Sequence, residues 1–390
     1  MTKTRTNTIM EKGAILRIDL TSLEEGMRFD APVFFEGANL FLAPGLPVRI
    51  RDIRKLKALG VTTVYTCGNL VHEKPPQERL TRHTLLSLLS LQQRETLCLK
   101  EYVALLERSR RLFLLFDRKG PVEKKEVDNI VHRIYHLTKD YPKEMVKLIH
   151  GIDASTREAA GNALHTTIIS VVMGLQKRML SHEVLSLAAA AFLHDVGMLE
   201  IPPLVRDKKE KLSDRERDLI ETHPARSAAL IRQLGFPLRT AQIVLAHHER
   251  WDGKGYPRGV TGDHIPELAH MIAVADAYAA LINERPYRRH LLGHDALKTV
   301  LRGIGGQFNP ETVKLLLQSI GVYPLGSLVL LSNQTIGRVV ETREETALRP
   351  TVEIIVDRHG QRLSPPATIN LGEDRELYIV KTVNPQDLAS

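Results

Sequence analysis

His165, His194, Asp195, His223, His247, His248 and Asp276 are the residues whose types and order point to chemistry. His194 and Asp195 are adjacent and close an apolar run, Phe192-Leu193-His194-Asp195. His223 precedes Pro224, and His247-His248 end a second apolar run, Ile243-Val244-Leu245-Ala246. Asp276 lies among Met271, Ile272, Val274 and Ala275, where a carboxylate is costly to bury unless it is paired or bound to metal. Imidazole and carboxylate suit iron, zinc or manganese, and no thiolate takes part. Five histidines and two aspartates are too many for one tetrahedral ion but suit two, with a carboxylate bridging. Two ions a few ångström apart can activate a water and clamp the oxygens of an in-line phosphoryl displacement. Taken singly, each histidine reads as a core or surface residue; the joint order of all seven is what favours metal.

The elements around these residues would have to position them. A helix beginning near Pro237 would carry His247 and His248 at its C-terminal end. The segment Trp251 to Gly259, with Gly253, Gly255, Pro257 and Gly259, cannot continue that helix and reads as a loop with special backbone angles. Pro266 suits the start of the helix that carries Asp276. Ser213 and Glu216 fit a capping box for the helix carrying His223, and Ser181 suits the cap of the helix ending at His194. His294-Asp295 repeats the His-Asp pair but falls outside the pattern, with Asp295 expected to cap a helix from Ala296. His182, His264 and His270 also fall outside it. His132 and His136 have i, i+4 spacing that two ligands can share, yet no motif covers them, and with His150 they are expected to be structural or surface residues.

The ordered pattern, from His165 through Ile201-Pro202, the Gly255-Tyr256-Pro257 loop and Asp276 to Arg285-Pro286-Tyr287-Arg288, resembles the HD-GYP family of metal-dependent phosphohydrolases. The resemblance runs from about His165 to Val313. It implies an all-helical domain with a buried site for two divalent ions, iron first, with manganese and zinc as alternatives. It also implies hydrolysis of the bacterial messenger cyclic di-GMP to the linear dinucleotide and/or GMP. Carried over by position, His165, His194, Asp195 and Asp276 would hold one ion. Asp195, His223, His247 and His248 would hold the other, so Asp195 bridges and is the catalytic residue. Arg285 and Arg288 would contact substrate phosphates. Gly255, Tyr256 and Pro257 would form a lip of the site and a surface for diguanylate cyclase domains.

The chain departs from the family at four places. Met198 stands where a lysine is usual, and a methionine cannot supply a cation beside a phosphate. Ala279 replaces an acidic residue, and His270 an arginine. Gly161 stands where members with three metals have a glutamate, so a third ion is not expected. The intact ligand set favours an enzyme. Met198 and Ala279 favour the alternative, a catalytically impaired cyclic di-GMP receptor or protein-interaction module that keeps its metal site.

The fold expected is mainly α: an all-helical HD-type domain with small N-terminal α+β and C-terminal β regions. Four regions are expected: 1–74 as a regulatory or docking module, 75–150 as a helical linker, 151–320 as the phosphohydrolase domain, and 321–390 as a small β extension. Leu23-Glu24-Glu25-Gly26-Met27 is similar to a small domain that often precedes HD-GYP domains. Ala31–Phe35 and Leu40–Leu42 read as a hairpin about a turn at Glu36–Asn39. Asp52–Leu59 reads as a helix, and Val61–Tyr65 as a strand. Leucines at helical spacing from Thr84 to Phe116 predict a long helix ended by Gly120-Pro121, packed within the monomer or forming a homodimer seam. A second helical stretch, Val127–Leu148, breaks at Tyr141-Pro142. Near the C-terminus, 327–331, 337–340, 352–356 and 377–380 read as strands.

Composition sets outer bounds. Length 390 suggests two to three domains, and 43% hydrophobic residues suffice for real cores. The net charge of +8 comes from 54 Lys+Arg against 46 Asp+Glu, spread without a basic block. A phosphate-rich small ligand fits that better than a nucleic-acid polymer, which is not expected. Cys67 and Cys98 form no close motif and read as reduced thiols. The longest apolar run, 184–193, falls short of the roughly 18–20 residues a membrane span needs and reads as a core helix. With no signal-peptide core at the N-terminus, a cytoplasmic protein is expected.

Overall fold

A computed structural model describes residues 16–35, 39–42, 46–58, 60–66, 69–71, 82–151, 159–283, 291–343 and 346–384. The chain divides into two compact units, residues 1–89 and 90–390.

In the first unit, strands β1 (Leu16–Asp19), β3 (Val33–Phe35), β4 (Asn39–Leu42) and β5 (Thr63–Thr66) form an antiparallel sheet in the order β1-β5-β3-β4. β2 (Arg28–Phe29) pairs with β6 (Leu70–Val71), and α1 (Ile50–Ala58) lies between β4 and β5 in the chain. Val33, Leu42, Val48, Leu56 and Val64 form its core. The expected hairpin, helix and strand are all present; residues 36–38 of the hairpin turn, Leu59 of the helix, and Cys67 lie outside the described residues.

The second unit, which takes α2 from residue 90 onward, is helical before it is β. The helices are α2 (Arg82–Asp117), α3 (Lys124–Asp140), α4 (Pro142–Gly151), α5 (Ala159–Gln176), α6 (Ser181–Leu193), α7 (Pro203–Arg206), α8 (Asp214–Ile220), α9 (His223–Gln233), α10 (Leu238–Leu245), α11 (Glu267–Ile282), α12 (Gly293–Leu301) and α13 (Pro310–Ile320). Nearly every residue of α5 from Ala160 to Gly174 is buried, because the sequence is apolar or small all round the helix. It runs through the centre, packed by α3, α4, α6, α11 and α13. α6, the run read as a core helix, is likewise buried from Leu187 to Leu193. The leucines of α2 divide: Leu105, Leu106 and Leu112 enter this core, whereas Leu99 and Leu114 stay exposed. Among the described residues no helix is long and apolar enough to cross a membrane.

Several local expectations need correction. The Ser213–Glu216 capping box is present, but it starts α8, which ends at Ile220; His223 opens a separate helix, α9. Ser181 is the first residue of α6 and not its cap; the Leu180 N–H donates to the Glu183 carboxylate at 3.2 Å, and the Ser181 hydroxyl accepts from Tyr135. Asp295 sits within the first turn of α12, which begins at Gly293.

The C-terminal sheet, in the order β10-β9-β8-β7-β11, contains β7 (Leu328–Leu331), β8 (Ile336–Glu341), β9 (Thr351–Val356), β10 (Arg362–Asn370) and β11 (Ile379–Val383). β10 was not expected, since Pro365-Pro366 argues against a strand. It is tolerated because β10 is an edge strand whose register shifts between Arg362 and Ala367. β11 begins two residues later than expected because the Asp374 carboxylate accepts from the N–H groups of Glu376 and Leu377 and holds them in a turn.

Phe192 is fully buried on α6, with its ring 5.6 Å from Phe113 of α2 in an edge-on contact. Phe192→Ala is expected to lower stability by about 3–5 kcal/mol in urea unfolding; a loss below about 1 kcal/mol would mean that this part of the core is not packed as described.

Candidate metal centre

Three histidines sit at helix ends, and that placement orients their rings. The Nδ1–H of His194 donates to the Ala191 carbonyl at 2.7 Å, that of His223 to Ile220 at 2.8 Å, and that of His247 to Val244 at 2.5 Å. Each acceptor lies in the last turn of α6, α8 or α10, where carbonyls have lost their helical partners. With the proton on Nδ1, each Nε2 presents a lone pair.

Those lone pairs converge on one carboxylate. His223 Nε2 is 3.1 Å and His247 Nε2 3.4 Å from Asp195 Oδ1, while His194 Nε2 is 3.3 Å from Asp195 Oδ2. His194 Nε2 is also 3.3 Å from Asp276 Oδ1. Asp195, His223, His247 and His248 form one group with ligand atoms within 4.8 Å of one another; His194, Asp195 and Asp276 form a second, with Asp195 common to both. Two ligands each roughly 2.1 Å from one ion stand roughly 3.0–3.4 Å apart at ordinary coordination angles. His194 Nε2 and Asp195 Oδ1 are buried with no hydrogen-bond partner. Nitrogen and carboxylate lone pairs pressed together in this way fit a pair of divalent ions.

Without a cation, a proton on His194 takes the place that a divalent ion would fill beside the two carboxylates. Burial opposes a charge on His194, but Asp195 and Asp276 outweigh it and raise its pKa well above the ordinary value. Burial also works against charge on the two carboxylates; His194 above all reverses it, taking Asp195 well below its usual range and Asp276 to about 2. His247 and His248 are pushed down by burial, the latter strongly, so both keep neutral imidazoles.

The structure brings together six of the seven expected ligands. His165 is not among them: it is buried on α5, with Nε2 2.5 Å from the Tyr102 hydroxyl and Nδ1 2.8 Å from Asn283 Oδ1. Arg285 and Arg288 lie outside the described residues. Met198 is half-buried in a short turn of 3-10 helix after Asp195, and Ala279 is fully buried on α11.

The Gly255-Tyr256-Pro257 loop closes over the site. The Tyr256 ring lies 4.8 Å from His248 and 6.2 Å from His223, centroid to centroid, and the Tyr256–Pro257 peptide is cis. Gly255 has no room for a side chain, since a Cβ there would come within 2.4 Å of the Arg250 nitrogen and 2.5 Å of the His248 carbonyl. Gly197 is as constrained, with the His223 carbonyl 2.4 Å from a built Cβ; its N–H donates to the buried Ser227 hydroxyl at 2.8 Å. Any side chain at either glycine would push a ligand-bearing segment aside.

Glu249 was given no role in the sequence, although it follows the His247-His248 pair. Its buried carboxylate accepts from the N–H groups of Arg258 at 2.7 Å and Val260 at 3.1 Å, tying the far end of the loop to the ligand helix. Asp252 pairs with Arg250 at 2.8 Å, and the backbone N–H groups of Trp251 and Asp252 donate to Gln307 and Gly306. His270 packs against Trp251, with ring centroids 5.4 Å apart, and its Nε2 lies 3.3 Å from the Gly262 carbonyl. Tyr102, Asn162, Asn283 and Ser227 were also missed; nothing local marks them, since each acts on a residue distant in the chain.

A model of the HD domain matches residues 140–311, and one of a KOW domain associated with HD domain matches residues 328–390. The cyclic di-GMP phosphodiesterase PA4108 of Pseudomonas aeruginosa is 32% identical over 186 residues, which are 47% of this chain and 44% of that protein. Residues 140–311 therefore match an HD domain, and the relatives matched there support an HD-GYP-type protein. The cyclic di-GMP phosphodiesterase PdeB of Borreliella burgdorferi is 26% identical over 195 residues, 50% of this chain and 52% of its own. The 3'3'-cGAMP-specific phosphodiesterase 3 of Vibrio cholerae is 32% identical over 174 residues, 44% of this chain and 38% of its own. The chain therefore spans about half the length, or less, of these curated relatives.

Because Asp195 belongs to both groups, Asp195→Ala is expected to lose both ions and His248→Ala only one, as read by elemental analysis of anaerobically purified protein. A full metal complement in Asp195→Ala would rule out the shared carboxylate. Glu249→Ala should cost about 1.5–3 kcal/mol of local stability per charged hydrogen bond lost. It should appear as faster amide exchange at Arg258 and Val260; unchanged exchange there would remove Glu249 as the clamp.

Proposed function

We propose that this chain is a metal-dependent cyclic dinucleotide phosphodiesterase whose substrate is cyclic di-GMP, opened to the linear dinucleotide and/or GMP. The observation that carries this reading is the convergence of three imidazole lone pairs on Asp195 at 3.1–3.4 Å with Asp276 alongside. The relatives described above suggest the substrate class, since two of the three are named for cyclic di-GMP.

Two divalent ions, iron in the first instance, would supply Lewis acidity toward a phosphate oxygen and a water molecule. The chain's own residues would do the rest. Asp195 and Asp276 supply negative charge to hold the ions, and Asp195 is shared between them. His194, His223, His247 and His248 would be the nitrogen donors, with His194 giving up its Nε2 proton to make way for the ion; the Nδ1 bonds of the first three aim Nε2 into the site. We assign His165 to the same set once its Nε2 is free. Burial holds the Tyr256 phenol well above its ordinary pKa, so at the lip of the site it keeps its proton and can donate to a phosphate oxygen. Glu249 holds the loop that carries Tyr256 and Pro257. We also assign substrate phosphates to Arg285 and Arg288, and diguanylate cyclase domains to the outer face of the Gly255-Tyr256-Pro257 loop.

A second reading, a receptor that binds without turnover, is favoured by two positions. Met198 brings no cation to the turn after Asp195, and Ala279 puts an apolar group one turn beyond Asp276.

Metal-replete full chain, handled anaerobically, is expected to hydrolyse cyclic di-GMP. Asp195→Ala should lose more than the roughly 10–100-fold that removal of a group supporting a ligand costs. Binding without hydrolysis would replace the enzyme by the receptor. Preference for 3'3'-cGAMP in a competition assay would overturn the substrate assignment while leaving the chemistry in place.

A further inference from the structure

His165 has the tautomer of the other site histidines, but its lone pair is taken. The direction of the hydrogen bonds around it follows from Asp276. An ionised carboxylate only accepts, so Asn162 must turn its amide NH2 toward Asp276 Oδ1, at 2.8 Å. Asn162 Oδ1 then faces the NH2 of Asn283 at 3.3 Å, which leaves Asn283 Oδ1 to accept from His165 Nδ1–H at 2.8 Å. His165 therefore has its proton on Nδ1 and its lone pair on Nε2, the tautomer of His194, His223 and His247. At Nε2 it accepts the Tyr102 O–H at 2.5 Å.

Tyr102 stands on α2, upstream of the segment that matches the HD domain, and is completely buried. The helix is held by Cys98, Leu105, Leu106, Leu112 and Phe113 in the core, and by the exposed pairs Glu101–Arg133 and Glu95–Lys147. An oxygen 2.5 Å from Nε2 and an ion roughly 2.1 Å from it cannot share that lone pair.

Resting on the metal reading above, we propose that Tyr102 is a positioning residue that holds one half of the metal site shut. Its hydroxyl occupies the His165 lone pair, and the ion shared by His194, Asp195 and Asp276 gains its fourth protein ligand only when a turn of the Tyr102 side chain or a shift of α2 withdraws that hydroxyl. The chain from Tyr102 through His165, Asn283 and Asn162 to Asp276 makes the two ends interdependent. While Tyr102 is engaged, His165 is withheld and Asp276 is steadied by Asn162; once it leaves, both ligands can face the ion. The other ion, on His223, His247 and His248, does not depend on Tyr102. The site would then fill in two unequal steps, with the helix that precedes the HD domain setting the second.

The test is a manganese titration of metal-stripped full-length protein, followed by electron paramagnetic resonance, which distinguishes a lone ion from a coupled pair. Wild type is expected to show one tight step and one weaker step. Tyr102→Phe keeps the ring and its packing, and should tighten only the weaker step, by about tenfold, the worth of one buried hydrogen bond. The gain should vanish in Tyr102→Phe/His165→Ala. Two ions bound equally well by wild type and Tyr102→Phe would overturn the lock and leave the metal site standing. No ion bound by either protein would overturn both. A tightening that survives in the double variant would show that the hydroxyl does not act through His165, and would also overturn the proposal. A crystal structure of metal-loaded wild type decides it without a variant: a Tyr102 hydroxyl still bonded to His165 with both ions in place refutes the lock, and a withdrawn hydroxyl supports it.

Discussion

Asp195 is a half-buried carboxylate surrounded by three imidazole Nε2 atoms at 3.1–3.4 Å. Nothing in the fold neutralises that arrangement except protons or cations. Among the described residues, no lysine or arginine bonds to it, and His194 Nε2 and Asp195 Oδ1 are left without a hydrogen-bond partner. The cost of burying such groups is large. α5, α6 and α11 are apolar around it and supply a low-dielectric frame in which bound metal would be the complementary charge.

Helix termini provide the geometry. α6, α8 and α10 each stop at or just before a ligand histidine, and the spare carbonyls of their last turns take the Nδ1 proton. One feature of helix ends thus sets both the ring orientation and the tautomer. Gly197 and Gly255 allow the backbone to pass so close to His223 and His248 that no side chain fits. Glu249 then fastens the loop that forms the outer wall, and the Gly303–Phe308 turn holds its near side through Trp251 and Asp252.

The Tyr102–His165–Asn283–Asn162–Asp276 chain links this frame to α2. It sets the two halves of the site apart. The half built on His223, His247 and His248 is assembled from helix ends and the loop; the half built on Asp276 shares its partners with a helix outside the matched HD segment.

Much of this was legible in the residues. The seven candidate ligands could be named because their residue types suit metal and their order resembles the HD-GYP pattern, and α2, α3 and the break at Tyr141-Pro142 because apolar spacing and proline leave a plain local trace. β10 was hidden because Pro365-Pro366 is a strand breaker unless the strand lies at an edge, and edge position is a tertiary fact. Glu249 was hidden because its partners are backbone amides, which every residue carries. The engagement of His165 was hidden most completely: Tyr102 lies 63 positions away in the chain, and Asn283 lies 118 positions away. By itself the sequence determined which atoms can bind metal and which helices carry them, since both follow from side-chain chemistry and local periodicity. Only the tertiary structure decided which of those atoms face one another and which are already taken, because lone pairs have directions and their partners are set by packing across the whole domain.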